Sequence, residues 1–195
     1  MIVIGLTGGI GMGKSTASGV FRRARIPVFD ADATVHRVQA RGGRAVRAIG
    51  AAFPGAVQDG AVDRGRLREA VLGRPEALRV LERILHPMVR EAERDFLARA
   101  RRGGHRIAVL DIPLLLETGG ARRADHLLVV SAPPGVQRHR VRLRGRMTDA
   151  QAAAVIARQM PDAAKRRRAD TVIRTGLSRH FAQRALRRLI RELRA

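Results

Sequence analysis

The apolar positions of this chain fall into two kinds of run. Short continuous runs rich in β-branched residues, such as "IVIG" from Ile2 to Gly5, suit strands buried on both faces of a parallel sheet. Longer runs, apolar at every third or fourth position, suit amphipathic helices. Strand-like runs occur at "IVIG", "IPVFDAD" (ending in Asp30 and Asp32), "HRIAVLDIP" (reaching Asp111, stopped by Pro113), "DHLLVVSAP" and "DTVIRTG". Between and after them lie helical stretches, the alternation expected of a parallel sheet covered on both faces. "KSTASGVFRRA" predicts a helix with Val20 and Phe21 facing inward.

Residues 33–102 carry no strong strand signal and read as a helical insert between the second and third strands. Asp63 is the predicted N-cap of "RGRLREAVL". "HPMVREAERDFLARARRGG" predicts a helix with Pro87 in its first turn, an apolar face of Val89, Ala92, Phe96, Leu97 and Ala100, and a stop at Gly103 and Gly104. After the fourth strand, Thr148 and Gln151 form a capping-box pattern opening a helix that ends near Met160 and Pro161. Arginines flank it at 138, 140, 142, 144 and 146, with Lys165 to Arg168 beyond, which suggests a mobile lid. The last stretch places Leu186, Leu189, Ile190 and Leu193 on one face and arginines opposite.

The first two elements enclose "GLTGGIGMGKST". Gly8-x-x-x-x-Gly13-Lys14-Ser15 fits the phosphate-binding pattern G-x-x-x-x-G-K-[ST]. Glycines let the backbone turn its N–H groups around phosphate oxygens, and the following helix presents its positive end to the same anion. The lysine reaches the β- and γ-phosphates and the serine hydroxyl is placed for Mg²⁺. A strand, this loop and a helix in succession is the confirming context, so ATP or a similar triphosphate is the expected ligand. In such sheets the ligand lies beyond the carboxyl ends of the strands, where the loop, Asp30, Asp32, Asp111 and the residues after Ser131 converge.

The chain has 195 residues, 45% of them hydrophobic, which can fill one compact core with a smaller subdomain. It contains no cysteine, which excludes disulfides and thiol chemistry. The apolar start has no basic lead-in, and no run approaches the roughly 18 residues of a membrane span. A cytoplasmic protein without membrane association is expected. The net charge is +22, with 19 basic against 5 acidic residues from Ala121 onward. Arginines could neutralise nucleic-acid phosphates, but 3% aromatic residues, with no Trp or Tyr, leave little platform for base stacking. A solvated basic surface is the favoured reading, with no specific nucleic acid as partner.

A phosphate-binding loop leaves GTPase, mechanical ATPase, nucleic-acid motor and small-molecule kinase open. No guanine-reading N-K-x-D run is present, and the chain is short for a motor. A helical insert and an arginine-bearing lid on a small core is the build of a small-molecule kinase.

Nearly the whole chain resembles the dephospho-coenzyme A kinase family, through "GLTGGIGMGKST", "VFDADATVHRV", "VDRGRLREAV", "LERILHPMVR", "LDIPLLLETG" and "ARQMPDAAKRRRADTVIRTG" in the family's order. The resemblance implies an α/β fold: a three-layer P-loop kinase core with a five-stranded parallel sheet, a helical substrate insert and a helical lid. The core would comprise 1–32, 103–137 and 169–195, the acceptor domain 33–102 and the lid 138–168. It also implies transfer of the γ-phosphoryl of ATP to the ribose 3′-hydroxyl of dephospho-CoA, with Mg²⁺, by a monomer or weak homo-oligomer.

On that resemblance Asp32 matches the family's proposed base, although an N-cap for "ATVHRVQA" is its alternative role. Lys14 and Arg140 would neutralise charge on the transferring group, while Gly8, Gly11, Met12, Gly13, Lys14, Ser15, Thr16 and Arg144 would bind ATP. His86, Pro113, Leu114 and Glu117, with Asp32, would line the acceptor site, and Asp111 would help Ser15 hold Mg²⁺ through water. Two positions depart from the family: Arg174 stands where many members carry Asp or Asn, near the adenine, and Leu72 replaces the usual Phe. The first bears on base recognition; the second is expected only to repack the helical insert.

Overall fold

A computed structural model describes every residue except Arg144, Arg146, Met147 and Ala195. The chain divides into two compact units: Met1–Phe29 with Arg99–Ala195, and Asp30–Ala98.

The first unit is built on a five-stranded parallel sheet. Its strands are β1 (Ile2–Thr7), β2 (Val28–Asp30), β5 (Ile107–Asp111), β6 (His126–Ser131) and β7 (Thr171–Arg174), in the order β2-β5-β1-β6-β7. β1 lies at the centre, with Ile4 opposite Val109 on one side and His126 on the other. Every residue of β5, and all but the first of β1 and β6, is buried, as a strand covered on both faces requires. Helices α1 (Lys14–Arg23) and α9 (Arg179–Glu192) pack together over Ile4, Leu6, Leu128 and Val130. Phe21 and Leu186 are almost wholly enclosed there. The outward arginines of α9 (184, 187, 188 and 191) are exposed, so the apolar and basic faces separate as the 3.6-residue period dictates. Helices α6 (Pro134–Leu143), α7 (Asp149–Arg158) and α8 (Asp162–Arg167) fall within this same unit. α7 opens on a full capping box, Gln151 N–H donating to Thr148 Oγ1 at 3.2 Å and Thr148 N–H to Gln151 Oε1 at 3.0 Å.

The second unit holds α2 (Ala31–Gln39), α3 (Val46–Ala52), a hairpin of β3 (Val57–Gln58) and β4 (Ala61–Val62), α4 (Arg64–Val71) and most of α5 (Pro75–Arg102). Its core gathers Ala45, Ile49, Phe53, Val62, Leu67, Leu81 and Leu85. Asp63 caps α4, accepting from Gly65 N–H at 2.9 Å and Arg66 N–H at 3.0 Å.

The second strand does not run through "DAD": it stops at Asp30, whose carboxylate accepts Ala33 N–H at 2.9 Å and caps α2. The N-cap is therefore Asp30 and not Asp32, which lies in the first turn of the helix. Pro87 is not in a first turn but inside the 28-residue α5, which starts at Pro75. Proline cannot donate to the carbonyl one turn back, yet the helix persists because Leu81 and Leu85 bury an apolar stripe ahead of it, with Ile84 and Met88 packed alongside. The hairpin was also unexpected. Asp59 (φ 49°) and Gly60 (φ 75°) both take the left-handed conformation, the two-residue turn whose twist matches antiparallel strands.

Candidate active site

The loop from Gly8 to Gly13 leaves the carboxyl end of β1 and enters α1. Gly13 is the N-cap of α1, with φ 94° and no side-chain capping bond, so the first turn offers its N–H groups outward rather than to a cap. Gly11 is also left-handed, at φ 75°. Gly8 is required for a different reason: a Cβ there would stand 2.8 Å from the carbonyl oxygen of Val130. Met12 sits beneath the loop rather than on it. Its Sδ accepts Ala132 N–H at 3.1 Å and its carbonyl accepts the Thr175 hydroxyl at 2.7 Å. Met12 thus gives its side chain to the packed floor of the loop.

Lys14 Nζ lies 2.5 Å from Asp111 Oδ1. Asp111, 4% exposed at the end of β5, receives the Ser18 hydroxyl on its other oxygen. Ser18 escaped the sequence reading, although it stands one helical turn after Lys14 and so shares its face. Ser15 is exposed and Thr16 half-buried on the first turn of α1. Among the described residues no three His, Asp or Glu side chains converge as a metal site. The donors present, the Ser15 hydroxyl and the Asp111 carboxylate, are hard oxygens. They suit Mg²⁺ carried in on substrate phosphates, with few protein ligands, rather than a dedicated cage.

Arg140 is the half-buried arginine of α6, whereas Arg138 and Arg142 are exposed. Its guanidinium donates to Thr175 Oγ1 at 3.0 Å, to the Thr175 carbonyl at 2.6 Å and to the Gly11 carbonyl at 3.5 Å. Thr175 thus ties the glycine loop, the end of β6 and α6 together, its hydroxyl also approaching the Ser131 carbonyl at 3.3 Å. A cavity of about 290 Å³ opens beside it, lined by Gly11, Gly13, Thr16, Arg140, Thr175 and Arg179. Thr175 lies within the family stretch "ARQMPDAAKRRRADTVIRTG" and Arg179 outside any motif; only the chain's return after β7 brings the two here. Arg174 instead faces a separate cavity of about 460 Å³ with Ser131, Asp162 and Arg166. Arg144 lies outside the described residues.

The residues expected at the acceptor divide between the units. Asp32 is exposed on α2 and His86 exposed on α5, both in the second unit. In the first unit the Pro113 carbonyl accepts the Thr7 hydroxyl at 2.8 Å, and Leu114 is 43% exposed. Glu117 turns toward the α7–α8 junction. Its Oε1 accepts Met160 N–H at 3.1 Å and lies 2.7 Å from the buried Lys165 ammonium. Leu72, the C-cap of α4, is 54% exposed, so it repacks nothing.

A parallel sheet, a glycine loop at the carboxyl end of its central strand, a lysine at the helix start and an arginine from a neighbouring helical segment define a phosphotransferase of the P-loop kinase class. The model of one family, dephospho-CoA kinase, matches residues 2–179. The chain is 59% identical over 166 residues to the dephospho-CoA kinase of Paramagnetospirillum magneticum, covering 85% of this chain and 78% of that protein. It is 52% identical over 198 residues to that of Gluconobacter oxydans, covering 100% and 98%. The crystal structure of TT1252 from Thermus thermophilus superposes with a TM-score of 0.86 at 36% identity, over 98% of this chain and 97% of that one. The chain belongs to the dephospho-CoA kinase family, kinases that phosphorylate dephospho-CoA in the final step of coenzyme A biosynthesis.

Proposed function

We propose that the protein transfers the γ-phosphoryl group of ATP to the ribose 3′-hydroxyl of dephospho-CoA, giving coenzyme A and ADP. The observation that carries this reading is the glycine loop with Lys14 poised on Asp111, in a chain matched to the family from residue 2 to residue 179. The loop's N–H groups and Lys14 bind the phosphate chain of ATP, Lys14 exchanging its Asp111 partner for phosphate oxygens. The cavity beside Arg140, Thr175 and Arg179 receives the nucleoside. Phosphoryl transfer passes through a loose transition state, so positioning and charge neutralisation outweigh covalent help from the protein. Lys14 and Arg140 supply positive charge next to the loop as negative charge shifts toward the leaving oxygen. Ser15 and Asp111 would hold Mg²⁺, which would add to that neutralisation. Asp32 accepts the proton of the attacking hydroxyl at its carboxylate. Arg179 and Thr175, both in the lining of the nucleoside cavity, take over the base recognition expected near Arg174, which faces a different cavity.

The test is ADP release from Mg-ATP with dephospho-CoA, adenosine, AMP, gluconate or single-stranded DNA as the second component. Turnover confined to dephospho-CoA, collapsing in Asp32→Asn, is expected. DNA-stimulated hydrolysis without dephospho-CoA turnover would refute it and direct attention to the basic last third of the chain.

A further inference from the structure

Behind the glycine loop lies a charged cluster that phosphoryl transfer does not use. Lys165 is 1% exposed, yet its ammonium approaches Glu117 Oε1 off the hydrogen-bonding direction. Glu117 Oε2 and Asp162 Oδ1 are also buried without hydrogen-bond partners among the described residues. A buried pair of this kind contributes little net stability, because desolvation offsets most of the attraction. Its value lies in what it orients.

The same Glu117 oxygen accepts Met160 N–H. The preceding residue, Gln159, accepts the N–H of Ile10 on its Oε1 at 3.0 Å. From the other side Gln137 Nε2 donates to the Ile10 carbonyl at 2.9 Å. The peptide groups of Ile10, in the middle of the glycine loop, are therefore held by two side-chain amides, one from α6 and one from the end of α7. The α7 amide is anchored, one residue along, by Glu117. Gly9, Gln137, Gln159, Asp162 and Lys165 line a single cavity of about 50 Å³, so cluster and loop are in direct register.

We infer that Glu117 and Lys165 are positioning residues for the phosphate-binding loop, acting through Gln159. The pair fixes the α7–α8 junction, the junction aims Gln159, and Gln159 holds Ile10 so that the loop is preformed for phosphate. This places Glu117 on the ATP side of the reaction rather than in the acceptor pocket where its motif suggested. The inference rests on the proposed function only in taking ATP as the ligand of the loop.

The experiment compares wild type with Gln159→Ala, Lys165→Met, Glu117→Gln and the Gln159→Ala/Lys165→Met double variant. Mg-ATP affinity is measured by calorimetry without acceptor, below each variant's melting temperature, alongside KM for both substrates. Each single variant is expected to weaken ATP binding by about five- to tenfold, the worth of one orienting hydrogen bond. KM for dephospho-CoA should stay within about twofold, and the double variant should bind ATP no worse than its weaker parent. Gln159→Ala buries no orphaned charge, so it keeps the test valid if Lys165→Met folds poorly. Unchanged ATP affinity in the folded variants would overturn the inference. So would multiplicative losses in the double variant, or a rise in KM confined to dephospho-CoA. If wild type binds ATP but does not turn over dephospho-CoA, the proposed function fails while the affinities still decide this inference.

Discussion

Replacing Gly8 with alanine separates close approach from backbone conformation as the reason for a loop glycine. Gly8 does not take a left-handed φ, so alanine carries no torsional penalty there. The obstacle is β6: the new Cβ would lie 2.8 Å from the Val130 carbonyl oxygen and 2.5 Å from Val130 Cγ2. Ordinary contact begins near 3.4 Å, so the new Cβ must draw back by about 0.6 Å from the carbonyl oxygen and about 0.9 Å from Cγ2. Val130 is fully buried in a strand paired on both sides, which leaves the loop to move. Overpacking of this kind costs about 1–3 kcal/mol, which lowers Tm by about 2–12 °C for a domain of this size. The displaced N–H groups are those meant for phosphate. Losing one charge-assisted bond, about 1.5–3 kcal/mol, weakens ATP binding about 10- to 150-fold. Thermal melting and calorimetric titration with Mg-ATP read both effects. Gly55→Ala is the control: its φ is +87° with nothing within 4 Å of the added Cβ, so it should lower Tm and leave ATP affinity alone. A Gly8→Ala protein that melts and binds ATP like wild type would refute the close-approach argument.

Other substitutions probe the remaining parts of the site. Lys14→Met should lower kcat by about 10²–10³-fold in a coupled ADP assay, and also lower Tm because the buried Asp111 carboxylate loses its cation. Arg140→Lys should raise KM for ATP about tenfold with little change in melting, since an ammonium cannot span both acceptors of Thr175 as the guanidinium does. Asp63→Ala removes the cap of α4 and should cost about 1 kcal/mol by denaturant titration, with kinetics unchanged.

Much of the fold could be read along the chain because it depends on local periodicity and on residues with restricted backbones. The five strands, the helix after the glycine loop, the Asp63 cap and the Thr148–Gln151 capping box all follow from neighbours within a few positions. So does the loop itself, since its glycines, Lys14 and Ser15 are contiguous. The hairpin at Asp59-Gly60 is signalled by that dipeptide alone, since its two-residue strands carry no alternation long enough to stand out between helical runs. Strand length at "DAD" and the run of α5 through Pro87 were not decided locally. Two aspartates compete for one cap, and the apolar residues ahead of Pro87 outweigh the hydrogen bond it removes.

Only the tertiary structure decided which side chains meet. Ser18 with Asp111, Arg140 with Thr175, Gln159 with Ile10, and Glu117 with Lys165 are separated by between 35 and 149 positions along the chain. The sequence by itself determined the chemistry available: a phosphate loop, a lysine, an arginine-rich helical segment and a family resemblance. Which arginine turns inward, and which way Glu117 faces, depend on burial and on the partner that each charge finds there. An ionised side chain is stable inside a protein only beside a complementary group, and tertiary packing, not local spacing, supplies that group.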